Sequence, residues 1–204
     1  MVVDIDLEKF FDQVCHDRLM SRLAERVGDK RLLKLIRNYL WTGILNGGLV
    51  TIPEAGTPQG SPLSPFLSNV VLDELDKEFE ARGHRFCRYA DDSNVYVRSW
   101  RAGERVMASI SRFIAGRLKL KVNESKSTVD RPQNRSFLGF SFTGGKFPNR
   151  HKIAPKTLVR FTARVRELTK RNQGRSLGQV IATLSRYLRG WIGYFGFCQT
   201  GLDH

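Results

Sequence analysis

The hydrophobic positions of the chain follow two periods, one typical of β-strands and the other typical of α-helices. Residues 2–6 alternate as in a short buried strand, and apolar residues recur at helical spacing through residues 16–41. Two more strand-like segments, residues 85–89 and 94–97, stand on either side of the acidic pair Asp91-Asp92. The pattern therefore predicts a strand, a pair of helices, and a hairpin whose tight turn carries two carboxylates.

The remaining elements are predicted from turn residues and helix signals. Asn46-Gly47-Gly48 marks a hairpin, residues 56–65 open a helix that ends at Gly83, residues 101–118 form a helix, and short strands are expected at 127–130 and 137–142. Strands and helices are mixed without regular alternation, which favours an α+β fold over a doubly wound one. We therefore expect an antiparallel sheet with helices packed on one face.

The pattern changes beyond Gly144-Gly145, where two amphipathic helices follow. Residues 131–204 hold 14 Lys and Arg against 2 Asp and Glu, whereas residues 1–130 hold 20 against 18. The net charge of +14 predicts attraction to polyanions. We interpret residues 1–145 as a catalytic domain and residues 146–204 as a basic helical domain that binds nucleic acid. A solvated basic face on an ordinary helical domain is the alternative.

Composition excludes several classes of protein. With 204 residues, 41% of them hydrophobic, the chain can fill a core and is not disordered. Cys15, Cys87 and Cys198 are an odd number without a C-x-x-C pair, which gives no zinc framework and predicts reduced thiols. No apolar run is long enough to cross a bilayer. We expect a cytoplasmic protein with no membrane partner, and the sequence leaves its oligomeric state open.

The acidic turn is the strongest candidate for chemistry. Adjacent exposed carboxylates repel each other, and divalent cations relieve that repulsion. Asp6 ends the first strand, and if this strand pairs beside the hairpin, three carboxylates meet at one edge of the sheet and suit two Mg²⁺ ions. Asp4 points to the same face by strand period, so the spacing leaves Asp4 and Asp6 as alternatives. A plain hairpin turn made of two aspartates is the non-functional alternative.

Five segments, taken in order, resemble the palm motifs of bacterial group II intron reverse transcriptases. They are residues 6–12 (DLEKFFD), 56–65 (GTPQGSPLSP), 89–92 (YADD), 120–126 (LKVNESK) and 137–140 (FLGF). The tail, residues 154–197, includes GWIGYF and is similar to the maturase-specific thumb domain of the same proteins. The resemblance covers nearly the whole chain and implies a reverse-transcriptase palm followed by an α-helical thumb.

The resemblance also implies an active site. It assigns the first metal-binding carboxylate to Asp6 and the second to Asp91, with Asp92 as an acidic partner in the same site that holds two Mg²⁺ ions. Phe10 would lie under the incoming sugar and exclude a 2′-hydroxyl, so that deoxynucleotides are selected. A core phenylalanine beside Phe11 is the structural alternative for Phe10.

Three further assignments concern the nucleotide and the primer. Gln59 resembles a glutamine that contacts the nucleotide and template, although a loop that enters a helix is the ordinary alternative. Lys126 matches a lysine that neutralises or protonates the leaving pyrophosphate, or it is a surface lysine. The primer end would be supported by the strand that contains Phe137, Leu138, Gly139 and Phe140, which could equally be a core strand.

The predicted activity is RNA-directed synthesis of DNA from dNTPs, with an RNA template, a DNA primer and group II intron RNA as partners. The basic residues expected to contact the nucleic-acid backbone are Lys156, Arg160, Arg164, Lys170, Arg171, Arg186 and Arg189. The alternatives are a non-catalytic RNA-binding maturase, a retron or CRISPR-associated reverse transcriptase, and an RNA-dependent RNA polymerase.

The chain departs from the family pattern at both ends. It begins at the first palm strand, so that the fingers are missing, and it stops before the thumb would normally finish. We therefore expect either a fragment of a longer protein or a truncated gene. We expect such a fragment to be inactive alone, and the sequence leaves open whether it can polymerise without the fingers.

Overall fold

The computed structural model describes residues 1–42, 44–46, 49–51, 55–57, 61–145, 150–172 and 174–198. The chain divides into two compact units, Met1–Asp130 and Arg131–His204. This division falls before the domain boundary predicted after residue 145. The reason is local, because strand Phe140–Phe142 pairs with His151–Ile153 inside the second unit.

The first unit has an antiparallel sheet and several helices. Its elements are β1 (Val2–Ile5), α1 (Phe10–Gln13), α2 (His16–Ala24), α3 (Lys30–Leu40), β2 (Ile44–Asn46), β3 (Leu49–Thr51), α4 (Leu63–Ala81), β4 (Arg85–Tyr89), β5 (Asp92–Tyr96), α5 (Trp100–Phe113) and β6 (Thr128–Asp130). Strands β2 and β3 form a separate hairpin, and the main sheet has the order β4-β5-β1-β6. Each neighbouring pair in that sheet is antiparallel. The strands predicted at residues 2–6, 85–89, 94–97 and 127–130 therefore form one sheet, in which β1 and β5 are the inner strands.

Alternation along the strands gives the sheet two different faces. Val3, Ile5 and Val95 share one face and are completely buried. Helices α4 and α5 cover the sheet and contribute to the same hydrophobic core. The other face carries Asp4 and Asn94, which stand directly opposite each other on β1 and β5. Both side chains are buried, with exposed fractions of 7% for Asp4 and 3% for Asn94, so this face has polar groups in its interior.

A glycine sets the distance between α5 and the sheet. A Cβ atom on Gly103 would collide with a methyl group of Val129 in β6. Ser99 caps the start of α5 by accepting a hydrogen bond from the Ala102 N–H at 3.2 Å. The helix is predicted to continue to residue 118, and its last part, Ile114–Leu118, is a wider π-type turn.

The second unit packs around aromatic rings. Its elements are a short 3₁₀ turn (Pro132–Asn134), β7 (Phe140–Phe142), β8 (His151–Ile153), α6 (Pro155–Leu168) and α7 (Leu177–Phe195). Phe140 lies with its ring centroid 5.2 Å from Tyr194, 4.9 Å from Phe195 and 5.1 Å from Phe197. The sequence pattern did not predict β8. None of the helices within the described residues is long and apolar enough to span a membrane.

Candidate active site

Asp6 and the acidic turn lie at the same end of the neighbouring strands β1 and β5. In this antiparallel pair, Ile5 stands opposite Ser93. The residue after Ile5 is Asp6 and the residue before Ser93 is Asp92, so both follow the last pair at one end of the strands. Asp91 occupies the turn between β4 and β5. Carboxylates that are far apart in the sequence therefore share one end of the sheet.

Burial separates Asp4 from Asp6, which the spacing left as alternatives. Asp4 is only 7% exposed, and it lies in the middle of the sheet opposite Asn94 and Thr128. The Asp6 side chain is 26% exposed, and Asp6 lies just beyond the end of β1. A ligand from solvent can reach Asp6 more readily than Asp4.

Arg88, which the sequence analysis did not single out, holds the acidic turn. Its guanidinium group donates to both carboxylate oxygens of Asp76 at 2.7 and 2.6 Å, and to Asn69 Oδ1 at 2.9 Å. It also donates to the Ala90 carbonyl at 2.9 Å. Ala90 has a φ of 53°, a conformation that non-glycine residues rarely adopt. Helix α4 therefore positions the turn through Arg88. The sequence feature that could have identified Arg88 is an arginine within a predicted strand directly before an acidic motif.

The loop that precedes β6, residues 123–127, binds the backbone of Asp6. The Ser127 hydroxyl accepts a hydrogen bond from the Asp6 N–H at 3.0 Å, and the Asn123 N–H donates to the Asp6 carbonyl at 2.8 Å. Lys126 Nζ lies 3.6 Å from Asp6 Oδ1, and the Lys126 side chain is 66% exposed. The loop thus fixes the backbone of Asp6 and brings an ammonium group to its carboxylate.

Phe10 does not lie where the resemblance predicts it, on a surface that an incoming sugar could contact. It is 1% exposed and belongs to the hydrophobic core, with its ring centroid 5.4 Å from that of Phe11. A buried ring has no surface to offer a nucleotide sugar, so the structural alternative describes Phe10. Phe11, the next residue, is only partly buried and keeps accessible surface. The sequence could not choose between adjacent aromatic residues without knowing which one faces the core.

The segment before Gln59 is firmly attached, whereas Gln59 itself lies outside the described residues. The Thr57 N–H donates to the Phe11 carbonyl at 2.7 Å, and His16 Nε2 donates to the Gly56 carbonyl at 2.6 Å. Gly56 has a φ of 96°, and a Cβ atom there would stand 2.8 Å from the Phe11 carbonyl oxygen. A glycine is therefore required at this position.

Residues 137–140 form a tight turn that precedes β7. The N–H of Phe137 donates to the carbonyl of Phe140 at 2.9 Å, and the Phe140 N–H donates to the Phe137 carbonyl at the same distance. Leu138 and Gly139 are the two residues between them, and Leu138 is 40% exposed. Only Phe140, at the end of the turn, enters the strand β7 (Phe140–Phe142).

All seven basic residues proposed for nucleic-acid binding are exposed. They are Lys156, Arg160, Arg164, Lys170, Arg171, Arg186 and Arg189. The guanidinium group of Arg164 lies 2.6 Å from a carboxylate oxygen of Glu167, an exposed pair within α6. Exposure is necessary for contact with phosphates, and an ordinary solvated helix surface has it too.

The three aspartates do not form a closed metal cage. Within the described residues, no three His, Cys, Asp or Glu side chains stand close enough together to hold a metal ion. The donor chemistry nevertheless fits a divalent cation, because Asp6, Asp91 and Asp92 offer hard carboxylate oxygens at one end of the sheet. The Asp6 carboxylate already pairs with one cation, the Lys126 ammonium group, at 3.6 Å.

Two family models match successive parts of the chain. Residues 1–142 match "Reverse transcriptase (RNA-dependent DNA polymerase)". The chain belongs to the reverse transcriptase family. Residues 158–201 match "Group II intron, maturase-specific domain". The first match includes Asp6, Asp91 and Asp92, and the second spans most of α6 and all of α7. The resemblance to group II intron reverse transcriptases is therefore confirmed.

Similar proteins support the same family. Protein YkfC of Escherichia coli is 28% identical over 177 residues, which cover 70% of this chain and 45% of that protein. The group II intron-encoded protein LtrA of Lactococcus lactis is 36% identical over 75 residues, or 37% of this chain and 12% of LtrA. The chain thus spans less than half the length of these relatives.

A solved structure shows the same fold. Apo telomerase from Candida tropicalis superimposes with a TM-score of 0.57 at 16% identity, over 82% of this chain and 36% of that chain. At this identity the likeness concerns the fold alone, and it confirms the predicted α+β palm architecture. Members of the reverse transcriptase family use divalent metal ions, and the reverse transcriptase and maturase domains imply RNA binding.

Proposed function

We propose that this chain is the palm and thumb part of a cytoplasmic group II intron reverse transcriptase that copies RNA into DNA and helps its intron RNA to splice. The observation that carries the proposal is the position of Asp6 beside the Asp91-Asp92 turn, in a fold that belongs to the reverse transcriptase family. The proposed partners are an RNA template, a DNA primer, dNTPs and group II intron RNA.

The proposed reaction is nucleotidyl transfer. The 3′-hydroxyl of the primer loses its proton to solvent and attacks the α-phosphate of a dNTP; the new O3′–P bond forms, and the bond to pyrophosphate breaks. Asp6, Asp91 and Asp92 would hold two Mg²⁺ ions, which supply electrostatic stabilisation of the attacking and leaving oxygens. Lys126, which already pairs with Asp6, is suited to neutralise the leaving pyrophosphate because its ammonium group is largely exposed.

We assign selection of the sugar to Phe11 instead of Phe10. Phe11 is only partly buried and keeps accessible surface, whereas Phe10 is buried in the core. Phe11→Ala is expected to admit ribonucleotides and to cost less stability than Phe10→Ala, because Phe11 is only partly buried against the core. Phe10→Ala is expected to destabilise the first unit by about 3–5 kcal/mol, because it opens a cavity. An unmodified chain that already incorporates ribonucleotides would contradict the assignment and favour an RNA-dependent RNA polymerase.

The decisive experiment is primer extension with the full chain on a DNA primer annealed to an RNA template, in the presence of Mg²⁺ and dNTPs. We expect Asp91→Ala to abolish whatever extension the unmodified chain supports. Asp17→Asn is the matched control, because Asp17 is an acid whose side chain is 89% exposed and which lies in α2. Extension that survives Asp91→Ala would refute the assigned site.

The second candidate is a non-catalytic RNA-binding maturase fragment, which the exposed basic residues of α6 and the region after it favour. It predicts tight RNA binding without any extension by the unmodified chain. In both cases, replacing Arg160 and Arg164 with Gln should weaken RNA binding and lower the slope of log K against log salt by about 1–2. An unchanged slope would remove these two residues from the RNA contact.

A further inference from the structure

The turn at residues 137–140 has an unusual backbone. Leu138 has a φ of 52° and Gly139 a φ of 85°, so both central residues adopt left-handed conformations. Glycine tolerates this conformation, whereas a leucine is disfavoured there because its Cβ atom approaches the following carbonyl. Such a conformation persists only where surrounding contacts determine it, and it is found most often at functional sites.

Groups from both helices of the second unit supply those contacts. The hydroxyl of Tyr194 in α7 donates to the Leu138 carbonyl at 3.1 Å. The hydroxyl of Thr157 in α6 donates to the Gly139 carbonyl at 3.2 Å, and the N–H of Ala154 donates to the same carbonyl at 2.9 Å. Each of the two central carbonyls is therefore bonded to a helix or to the residue that starts one.

The aromatic rings of α7 close the space around the turn. A Cβ atom on Gly139 would stand 3.2 Å from the Phe195 ring and 3.2 Å from Thr157 Oγ1. The ring of Tyr194 packs on Phe140 with centroids 5.2 Å apart, so packing fixes the direction of its hydroxyl. The Leu138 side chain, by contrast, is 40% exposed. The turn is held from behind and presents one apolar side chain to solvent.

We propose that Tyr194 is a positioning residue for the primer end. Its hydroxyl holds the Leu138 carbonyl and so fixes the orientation in which the Leu138 side chain meets the terminal primer nucleotide. The inference rests on the proposed function, because it assumes that residues 137–140 support the primer. A movement of α7 would shift the Leu138 carbonyl through this hydrogen bond. The position of α7, a helix of the maturase-like domain, would therefore affect the placement of the primer end.

The test uses the full chain and a DNA primer, annealed to an RNA template, that carries 2-aminopurine at its 3′ end. Tyr194→Phe keeps the ring and removes the hydroxyl. Fluorescence of the terminal base reports where the primer end lies, and a label at the other end reports total binding. Tyr187→Phe is the matched control, because Tyr187 is also in α7 and its ring stacks on Phe161. Circular dichroism verifies that both variants fold.

We expect Tyr194→Phe to shift the equilibrium between a held and a released terminal base by about threefold toward the released base, because water replaces part of this exposed hydrogen bond. The dissociation constant for the duplex should stay within about twofold, because the phosphate contacts are intact. Where extension is measurable, kcat should fall without a change in the KM for primer. Thr157→Val should act in the same direction with a smaller effect, since the Ala154 N–H still holds Gly139.

Three results would overturn the inference. They are a terminal-base signal in Tyr194→Phe equal to that of the unmodified chain, an equal loss in Tyr187→Phe, or a loss that merely follows weaker duplex binding. An unmodified chain that binds the duplex without any end-specific signal would instead refute the proposed primer role of residues 137–140. The two failures are thereby distinguished.

Discussion

Replacing Arg88 with lysine is expected to loosen the acidic turn and the hairpin that carries it. Lysine keeps the positive charge but cannot form the planar fork that contacts both Asp76 oxygens and the Ala90 carbonyl at the same time. The bond to Asn69 would be lost as well. The variant therefore tests the geometry of the guanidinium group and not its charge.

The expected magnitude follows from burial. The Arg88 side chain is 10% exposed and that of Asp76 is 29% exposed, so water can restore only part of the lost hydrogen bonding. Removing one partner of a buried pair costs about 3–5 kcal/mol. The partial exposure of Asp76 and the retained charge reduce this to about 2 kcal/mol, which corresponds to a roughly 30-fold larger opening constant.

Hydrogen exchange of the full chain, followed by mass spectrometry, measures this effect in peptides from the first unit. Peptides that cover β4 and β5 should exchange about 30-fold faster in Arg88→Lys when exchange requires opening of the sheet. Arg82→Lys is the control, since Arg82, directly after α4, pairs with Glu78 and donates to the Ser109 hydroxyl of α5, and its side chain is 33% exposed. That control should change exchange by less than about fivefold. Equal exchange in Arg88→Lys and the unmodified chain, or equal acceleration by Arg82→Lys, would refute the reasoning.

Three further predictions concern packing, pH and metal binding. Gly103→Ala should destabilise the first unit by about 1–3 kcal/mol in urea unfolding, because its Cβ would meet a valine methyl of β6, whereas Gly116→Ala, with open space around it, should not. Burial, and then a hydrogen bond with a neighbouring thiol, raises the pKa of Tyr96 above its ordinary value. Stability should therefore fall as pH rises above about 10, and a Tyr96→Phe variant that falls equally would contradict this. Lys126→Ala should strengthen Mn²⁺ binding several-fold in calorimetry, because it removes the cation beside Asp6, and weaker binding would argue against that competition.

The pattern of residues was sufficient to identify the family and most of the elements. Alternation in residues 2–6 and the paired strands around Asp91-Asp92 are local properties, and β1, β4 and β5 form where the pattern expects them. Apolar residues at helical spacing likewise predicted α6 and α7, because each helix has an apolar stripe along one face. Short strands such as β8 carry too few alternating positions to be recognised in this way.

The sequence by itself determined that an acidic turn, a first-strand aspartate and a basic second half belong to a reverse transcriptase. Only the tertiary structure decided which neighbour of each pair is accessible: Asp6 and not Asp4, Phe11 and not Phe10. The local sequence pattern does not distinguish the two members of either pair. Their burial depends on elements that pack on them from other parts of the chain. The role of Arg88 could not be predicted for the same reason. Its side-chain partners lie in α4, and the local sequence pattern does not connect that helix to the turn.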